Sequence, residues 1–164
     1  MTPIQYWYRA ETHAIADRHG LDPDVATAVV LQESAGRTEA FRHEPAYFLR
    51  YLATKREWDG AIPRRVASSY GLMQLMYPTA LDRGYPKGDP PEYLFVPTIG
   101  LEYGCRHLAW CLAWADGDTK AMCAAYNGGA TADNGPSRAI KRNQSYVEGV
   151  LRWLARVKAG EVTG

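Results

Sequence analysis

The segment from residues 29 to 34 places one carboxylate, Glu33, at the end of an otherwise apolar helical stretch. A carboxyl group held against apolar neighbours is disfavoured as an anion, so its pKa rises and it can stay protonated near neutral pH. The negative end of the helix dipole acts in the same direction. Both effects suit a general acid. The alternative interpretation is a solvated glutamate at a helix end, because glutamates are rarely fully buried.

Two other segments combine glycine with polar residues. Gly71 lies in the middle of residues 68–76, and a glycine backbone can approach a ligand closely. The alternative for this segment is core packing, which is typical of methionines such as Met73. Tyr126 comes directly before Asn127-Gly128-Gly129, so its hydroxyl can face a cleft. Its ring can equally pack in the core at a helix end.

Helix start and stop signals predict a mainly α-helical chain. Thr2-Pro3 and Asp22-Pro23 each indicate a helix start, with Gly20 and Gly36 at the two ends, so Glu33 falls in a last turn. Further helices are expected from about Tyr47 to Ala53, from Pro78 to about Gly84, from Pro97 to about Asp116, from a cap at Asp118 to Tyr126, and after a capping box of Ser145 and Glu148. Loops are expected over 40–45, over 85–91 and through Asn134-Gly135, and a surface connection over 55–65.

Composition limits the class of protein. The 164 residues fit one domain spanning 1–164, which is long enough to enclose a core. The 19 basic and 18 acidic residues are scattered, and nucleic acid is therefore not an expected partner. The 11 tyrosines and 5 tryptophans suit a core and also a cleft that stacks on sugar rings.

Cysteines and histidines indicate neither disulfides nor a metal. Cys105, Cys111 and Cys123 form no C-x-x-C pair, and an odd number cannot pair completely, so we expect buried free thiols. His43-Glu44 lacks the second histidine of a helical zinc motif, so no metal and no cofactor is predicted. The first residues lack the features of a signal peptide, and no stretch is apolar enough to span a bilayer.

Three short motifs occur in a fixed order along the chain. They are Gln32-Glu33-Ser34, Gly71-Leu72-Met73-Gln74 and Ala124-Ala125-Tyr126-Asn127-Gly128-Gly129. In this order they resemble the signature motifs of soluble-type lytic transglycosylases (SLT domains), over a core of about residues 21–155. The segment Phe41-Arg42-His43-Glu44-Pro45 is similar to an insertion in phage- and prophage-encoded members. The resemblance implies a mainly α, lysozyme-like domain with a substrate cleft.

The resemblance also implies a reaction. Glu33 matches the family's single catalytic glutamate, which acts on the β-1,4 bond between N-acetylmuramic acid and N-acetylglucosamine in peptidoglycan. The protonated carboxyl group would donate to the glycosidic oxygen, and the carboxylate would then accept a proton from the muramoyl C6 hydroxyl, which closes on C1. The product would be a 1,6-anhydro sugar, formed without water.

Roles for other residues are carried over position by position. Tyr126 is expected to place its hydroxyl close to Glu33, and Arg42 and Glu44 are candidates for a cleft ion pair or a second carboxylate. The full set of expected substrate-binding residues is Ser34, Ser69, Met73, Gln74, Tyr126, Asn127 and Tyr146. Where many members carry an acidic residue before the Asn-Tyr-Val motif, this chain has Arg142 and Asn143, so the pattern supplies no assisting carboxylate there.

Two alternatives remain at the level of sequence. One is a lysozyme-type hydrolase on the same fold, as in goose-type lysozymes, with Glu44 or Asp59 as the base that positions water. The other is a wall-binding or structural phage component without turnover. The expected partner is the peptidoglycan glycan strand in each case. A chain without an export signal would reach the periplasm by virion delivery or with a phage lysis system.

Overall fold

The computed structural model describes residues 2–130 and 135–164, and it is dominated by helices, as predicted. Asn134, in the predicted loop through Asn134-Gly135, lies outside the described residues. The helices are α1 (Arg9–Arg18), α2 (Pro23–Ser34), α3 (Pro45–Tyr47), α4 (Pro63–Val66), α5 (Tyr77–Asp82), α6 (Pro97–Trp114), α7 (Thr119–Gly128), α8 (Pro136–Arg142) and α9 (Gln144–Lys158), together with a π-helical turn at Phe48–Leu52 and 3-10 turns at Arg56–Trp58 and Pro91–Phe95.

Short strands form two small sheets. β1 (Ile4–Gln5) pairs in parallel with β5 (Val162–Thr163), which joins the two ends of the described chain. The helix start predicted at Thr2-Pro3 is therefore wrong. Backbone pairing with β5 holds this segment extended, and α1 begins only at Arg9. Local capping signals cannot report such a distant strand partner.

The second sheet is antiparallel and corrects another prediction. Its order is β2 (Phe41–His43), β3 (Ser68–Tyr70) and β4 (Leu75–Met76). The loop predicted over 40–45 is thus a strand at its centre, because Phe41 pairs with Tyr70 in register. The hairpin between β3 and β4 contains the second sequence motif.

Two apolar clusters form the core. The larger one surrounds α2, in which every residue from Val25 to Leu31 is buried, and it includes the facing sides of α1, α6, α7 and α9. The smaller one lies beneath the three-stranded sheet, around Tyr70, Leu75 and Leu94. A helix that is apolar on all faces belongs inside a protein, so α2 is the central helix and Glu33 emerges at its end.

The C-terminal region shows which local signals hold. Asp118 caps α7 by accepting a hydrogen bond from the Ala121 amide at 2.8 Å, as predicted. The capping box of Ser145 and Glu148 is wrong, because α9 begins at Gln144 and Asn143 occupies the capping position. Helix α8 is an additional element that the sequence interpretation missed.

The three cysteines are buried free thiols, as predicted. Among the described residues, no helix is long and apolar enough to cross a membrane.

Candidate active site

Helix α2 delivers Glu33 to the site. Asp22 caps its first turn, with its carboxylate accepting from the Asp24 amide at 2.9 Å and from the Val25 amide at 3.4 Å, and Pro23 occupies the first helical position. The helix stops because Ala35 adopts a left-handed conformation with φ of 54°. Glu33 lies in the last turn, as predicted, at the boundary between the buried helix and solvent.

The carboxyl group of Glu33 has an altered acidity. Burial raises its pKa to about 7, whereas a hydrogen bond from Tyr146 and the positive charge of Arg42 act in the opposite direction. The Tyr146 hydroxyl donates to Glu33 Oε2 at 2.8 Å. Burial and the neighbouring Glu33 hold the pKa of Tyr146 well above its usual value, so this hydroxyl keeps its proton. Glu33 is therefore poised between its acid and base forms near neutral pH.

Close packing of α9 on α2 makes this hydrogen bond possible. A Cβ atom at Gly149 would lie 2.6 Å from the Oε1 atom of Gln32, so the terminal amide of Gln32 lies directly over this glycine where α2 and α9 pack together. Tyr146 is one turn earlier on α9 and reaches Glu33, which is next to Gln32 on α2. The small side of α9 at Gly149 thus leaves room for the Gln32 amide beside the hydrogen bond between Tyr146 and Glu33.

The turn from Gly71 to Gln74 forms a second side of the site. Gly71 has φ of 73°, and a Cβ there would lie 2.6 Å from the Leu94 carbonyl oxygen. Glycine is therefore required both by the backbone conformation and by the lack of space for a side chain. Gln74 also has a positive φ, of 48°. Its Nε2 donates to the carbonyl oxygens of Ala40 at 2.9 Å and Gly71 at 3.0 Å, which holds this unusual conformation.

Two hydroxyl groups attach this turn to the other motifs. Ser34 donates to the Leu72 carbonyl oxygen at 2.8 Å, and Tyr126 donates to the Met73 carbonyl oxygen at 2.6 Å. The three sequence motifs are therefore joined directly. Ser34 is buried, so its predicted contact with the sugars is wrong, because its hydroxyl is used inside the protein. Tyr126 likewise gives its hydrogen bond to the backbone, and the hydroxyl bonded to Glu33 belongs to Tyr146.

Met73 is also a correction. Its side chain is fully buried, so it cannot be a cleft contact. A Cβ atom added at Gly104 would lie only 2.7 Å from the Cβ atom of Met73, so this methionine packs directly on α6. Its sulfur lies 3.9 Å from the Cys105 sulfur. The core-packing alternative that the sequence left open for this methionine is the one that the structure shows.

The other predicted binding residues differ in accessibility. Ser69 is only 9% exposed, in the middle of β3, and none of the hydrogen bonds found among the described residues involves its side chain. Asn127 is exposed at the end of α7, and its Nδ2 donates to Asn143 Oδ1 at 2.8 Å. The Oε1 atom of Gln74 has no hydrogen bond within the described ranges and lies on a half-buried residue. Ser69, Gln74 and Asn127 stay predictions as ligand contacts.

Arg42 and Glu44 form the ion pair that the sequence suggested. Arg42 Nε lies 3.0 Å from Glu44 Oε1, and the Arg42 side chain is 75% exposed. Arg42 acts on Glu33 through its charge, which lowers the pKa of that carboxyl. Within residues 2–130 and 135–164, neither Glu44 nor Asp59 contributes to the raised pKa of Glu33. The site is thus built around one carboxyl group with altered acidity.

Sequence reasoning missed the actual partner of Glu33. Tyr146 was expected to bind substrate, whereas it donates to a side chain 113 positions away. The signal was its place one residue before Val147, on the buried stripe of α9 that packs toward α2. Gly149, three residues further on, was a second signal, because a glycine inside a helix often marks close packing.

Comparisons with known proteins agree with this arrangement. A family model described as "Transglycosylase SLT domain" matches residues 12–147. A search of curated proteins found no match.

A solved structure of the lytic transglycosylase Slt from Pseudomonas aeruginosa, an inactive glutamate-to-glutamine mutant, is similar with a TM-score of 0.65. The two chains are 21% identical, and the match covers 96% of this chain. This chain spans about a quarter of the length of that one, since the match covers 25% of it. The predicted mainly α, lysozyme-like fold is confirmed.

Proposed function

Since the chain belongs to the Transglycosylase SLT domain family, matched over residues 12–147, we propose that it is a peptidoglycan lytic transglycosylase. It cleaves the β-1,4 bond between N-acetylmuramic acid and N-acetylglucosamine and leaves a 1,6-anhydromuramoyl end. The observation that carries this proposal is Glu33, whose pKa is raised to about 7 and whose Oε2 accepts a hydrogen bond from Tyr146.

The chemistry needs one group that both gives and takes a proton. Protonated Glu33 donates to the glycosidic oxygen as the bond breaks. The carboxylate that remains accepts the proton of the muramoyl C6 hydroxyl, whose oxygen then bonds to C1. A group with a pKa close to the working pH serves both steps, because neither form is strongly disfavoured. Glu33 returns to its protonated form, and no water is consumed.

The Tyr146 hydroxyl supports this cycle in a specific way. It donates to Oε2, so Oε1 of Glu33 is the oxygen left to exchange a proton with the substrate. The same bond stabilises the carboxylate form in the second step. Tyr146 is thus proposed as a positioning residue that fixes the rotamer and the acidity of Glu33.

The hydrolase alternative lacks support from the geometry. Ordinary glycosidases use two carboxylates, one as acid and one as nucleophile or base. In the described part of the chain, no second carboxylate acts on the acidity of Glu33, and Glu44 is already paired with Arg42. The similar Slt structure is an inactive glutamate-to-glutamine mutant, so activity of that protein requires a glutamate.

Three polar groups, which either have no hydrogen-bond partner for the atom concerned among the described residues or are exposed at a helix end, are proposed to hold the glycan. They are the free Oε1 atom of Gln74, the hydroxyl of Ser69 and the side chain of Asn127, which lie on the turn, the sheet and the end of α7. Ser34, Met73 and Tyr126 are proposed to act indirectly, by holding this framework in place.

Product analysis tests the proposal. Purified peptidoglycan is digested with the protein, and the fragments are identified by mass spectrometry. The proposal expects 1,6-anhydromuramoyl ends, each lighter by one water than a reducing end. Reducing-end muramic acid would show a hydrolase, and undigested wall with retained binding would show the non-catalytic alternative. Activity of the isolated chain would also support the proposal that residues 1–164 act as one catalytic domain.

We further propose that the enzyme belongs to a phage or prophage lysis or entry system. The support is the similarity of residues 41–45 to an insertion in that branch of the family. Detection of the polypeptide in purified virions would indicate entry, whereas its appearance only in lysates would indicate release. Absence from both would contradict the proposed context.

A further inference from the structure

Arg83 follows α5 directly, and its guanidinium group is held in one orientation by two rings. Its Cζ atom lies 4.1 Å from the ring centroid of Trp110, within cation–π range. Its Nε donates to Nδ1 of His107 at 3.2 Å. The planar group is therefore fixed at one edge and on one face, which leaves its two terminal nitrogens for another partner.

His107 orients Arg83 without neutralising it. Burial, together with the nearby positive charge of Arg83, lowers the pKa of His107 to about 4. The imidazole is therefore neutral near pH 7, and because Nδ1 accepts from Arg83, the ring proton is on Nε2, which faces the Cys111 sulfur at 3.8 Å. A carboxylate in this position would cancel the charge of Arg83, and a neutral histidine keeps it.

Arg50 and Arg64 also lie over aromatic rings without a carboxylate in the described ranges, but Arg83 is held in addition by a histidine. The arginines that pair with carboxylates are Arg18 and Arg106 with Glu102, Arg42 with Glu44, Arg65 with Glu92, and Arg156 with Glu161. Within the described ranges, Arg83 has no carboxylate within 4.0 Å. An immobilised cation without an anion inside the protein is prepared to receive one from outside.

Arg83, His107 and Trp110 form one cluster, and His107 also contacts a residue of the candidate active site. The ring of His107 lies 5.3 Å from the ring of Tyr126, measured between centroids. Tyr126 donates to the Met73 carbonyl oxygen in the turn, and its own pKa is raised by burial and by the charge of Glu33. Trp110 is 40% exposed, so the cluster is open to solvent on at least one side.

We propose that Arg83 binds a carboxylate of the peptide stem carried by the muramoyl residues of the substrate. This inference rests on the proposed function, and it adds a determinant for the peptide part of the wall. The stem is attached through the lactyl group of muramic acid and carries free carboxylates, and guanidinium groups bind carboxylates through paired hydrogen bonds. Arg83 would act on substrate selection, whereas Glu33 carries the proton transfers.

The comparison of two substrates isolates this role. Turnover is measured on glycan chains that carry stems and on chains from which an amidase has removed them. Arg83→Ala should lower the ratio of kcat/KM between stem-bearing and stem-free chains about tenfold, as expected for one lost charge-assisted interaction. The loss should lie mainly in KM, and Arg83→Lys should recover part of the ratio because it keeps the charge without the paired geometry.

Arg156→Ala is the matched control. Arg156 also lies over a tryptophan, with its Cζ atom 5.1 Å from the Trp153 centroid, but its Nε is 2.8 Å from Glu161. This variant should retain the wild-type ratio. An equal loss on both substrates for Arg83→Ala would show a structural role, and an unchanged ratio would show no role in binding. Either result would overturn the inference.

A binding measurement separates this inference from the proposed function. Calorimetry with a soluble disaccharide that carries its peptide stem requires no turnover. Weaker binding by Arg83→Ala than by the wild type and by Arg156→Ala would support stem recognition, even if no cleavage is found. Equal affinity of all three proteins, or no binding by any of them, would contradict stem recognition, whatever product the enzyme forms.

Discussion

Two tyrosines at the site use the same hydroxyl group in different ways. Tyr146, on α9, donates to the carboxylate of Glu33, and Tyr126, on α7, donates to the carbonyl oxygen of Met73. The first bond changes the acidity of a titratable group, whereas the second fastens a turn to a helix. Tyr146 thus changes the acidity of the catalytic candidate, whereas Tyr126 holds the backbone of the turn in place.

The difference extends to the regions around them. On the side of α2 and α9, a few contacts set the pKa of Glu33, and solvent reaches the group. On the side of the turn from Gly71 to Gln74, Leu72 and Met73 are buried and Gly71 meets a backbone carbonyl oxygen at close range, with Gln74 as the half-buried exception. We therefore expect substitutions on the first side to change rates and pH profiles, and those on the second to change stability.

The largest expected effect comes from Glu33→Gln. It removes the group that transfers both protons, so the rate of wall cleavage should fall by about 10³-fold or more. Turbidity loss of a wall suspension measures the rate, and circular dichroism checks the fold. Glu44→Gln is the matched control on the candidate second carboxylate and should keep the rate within about threefold. A comparable loss in both variants would indicate a two-carboxylate mechanism.

The contact between α2 and α9 is tested by Gly149→Ala. Its new methyl group would meet the terminal amide of Gln32 at 2.6 Å, and that flexible side-chain end can turn aside. Because alanine also favours the helix more than glycine does, the free energy of unfolding should change by no more than about 1 kcal/mol. The displaced Gln32 is next to Glu33, so activity should fall more than stability. Urea denaturation measures the stability, and adding Gln32→Ala should restore part of the lost activity.

Gly135→Ala supplies the reference for this change. Gly135 has φ of −63°, and a Cβ there would meet nothing within 4 Å. Because Gly135 is the N-cap of α8, where alanine is less favourable than glycine, the variant's stability should fall by no more than about 1 kcal/mol, and its activity should stay at the wild-type level. A loss of activity equal to that of Gly149→Ala would mean that the contact between Gln32 and Gly149 is not the cause.

The raised pKa of Glu33 should also appear in stability. The group titrates at about 7 in the folded protein and near 4.5 when unfolded, so the unfolded chain releases its proton first. Glu33 should therefore remove about 2 to 3 kcal/mol of stability as the pH rises from about 4.5 to 7, whereas His107, whose pKa is lowered to about 4, adds stability over much of this range. Glu33→Gln should avoid this loss, and be as stable as the wild type at pH 4 but more stable at pH 8.

Denaturation at several pH values measures this difference. The exposed Glu148 provides a matched variant, Glu148→Gln, which should follow the wild-type curve. A constant stability difference between Glu33→Gln and wild type at all pH values would contradict the raised pKa.

The smallest effects separate the two tyrosines directly. Tyr146→Phe removes the bond that lowers the pKa of Glu33, so that pKa should rise and the alkaline fall of activity should move to higher pH. The rate at pH 7 should change by about tenfold or less. Tyr126→Phe leaves the Met73 carbonyl oxygen without its donor and should cost about 1 to 2 kcal/mol of stability.

Activity measured from pH 5 to 9 decides between these roles. Our account expects the pH profile to move in Tyr146→Phe and to stay in place in Tyr126→Phe. If the profile moves only in Tyr126→Phe, then Tyr126, which the sequence predicted close to Glu33, sets the acidity of that group instead.

Local signals in the sequence predicted the elements that position Glu33. Asp22-Pro23 and Asp118 cap the helices they were expected to cap, because an N-cap acts on amides two or three residues away. Distant pairing overrides such signals. Thr2-Pro3 has the composition of a helix start, yet the next residues pair with Val162 and Thr163 at the other end of the described chain.

The site shows the same limit. The motifs identified Glu33, and its position at the end of an apolar helix correctly indicated a raised pKa. They did not show which side chains face the protein, so Ser34 and Met73 were expected to contact sugars although they are buried. The partner of Glu33 depends on how closely α9 approaches α2. Gly149 inside α9 indicates a close neighbour, but the sequence does not show that this neighbour is Gln32 of α2.

The fate of water is the most direct test of the central claim that one glutamate completes the reaction alone. Peptidoglycan is digested in heavy-oxygen water, and the new muramoyl ends are weighed by mass spectrometry. We predict anhydro ends that contain no heavy oxygen, because the C6 hydroxyl of the sugar attacks C1 while Glu33 accepts its proton. One heavy oxygen at each new end would mean that water attacks, and it would contradict the account.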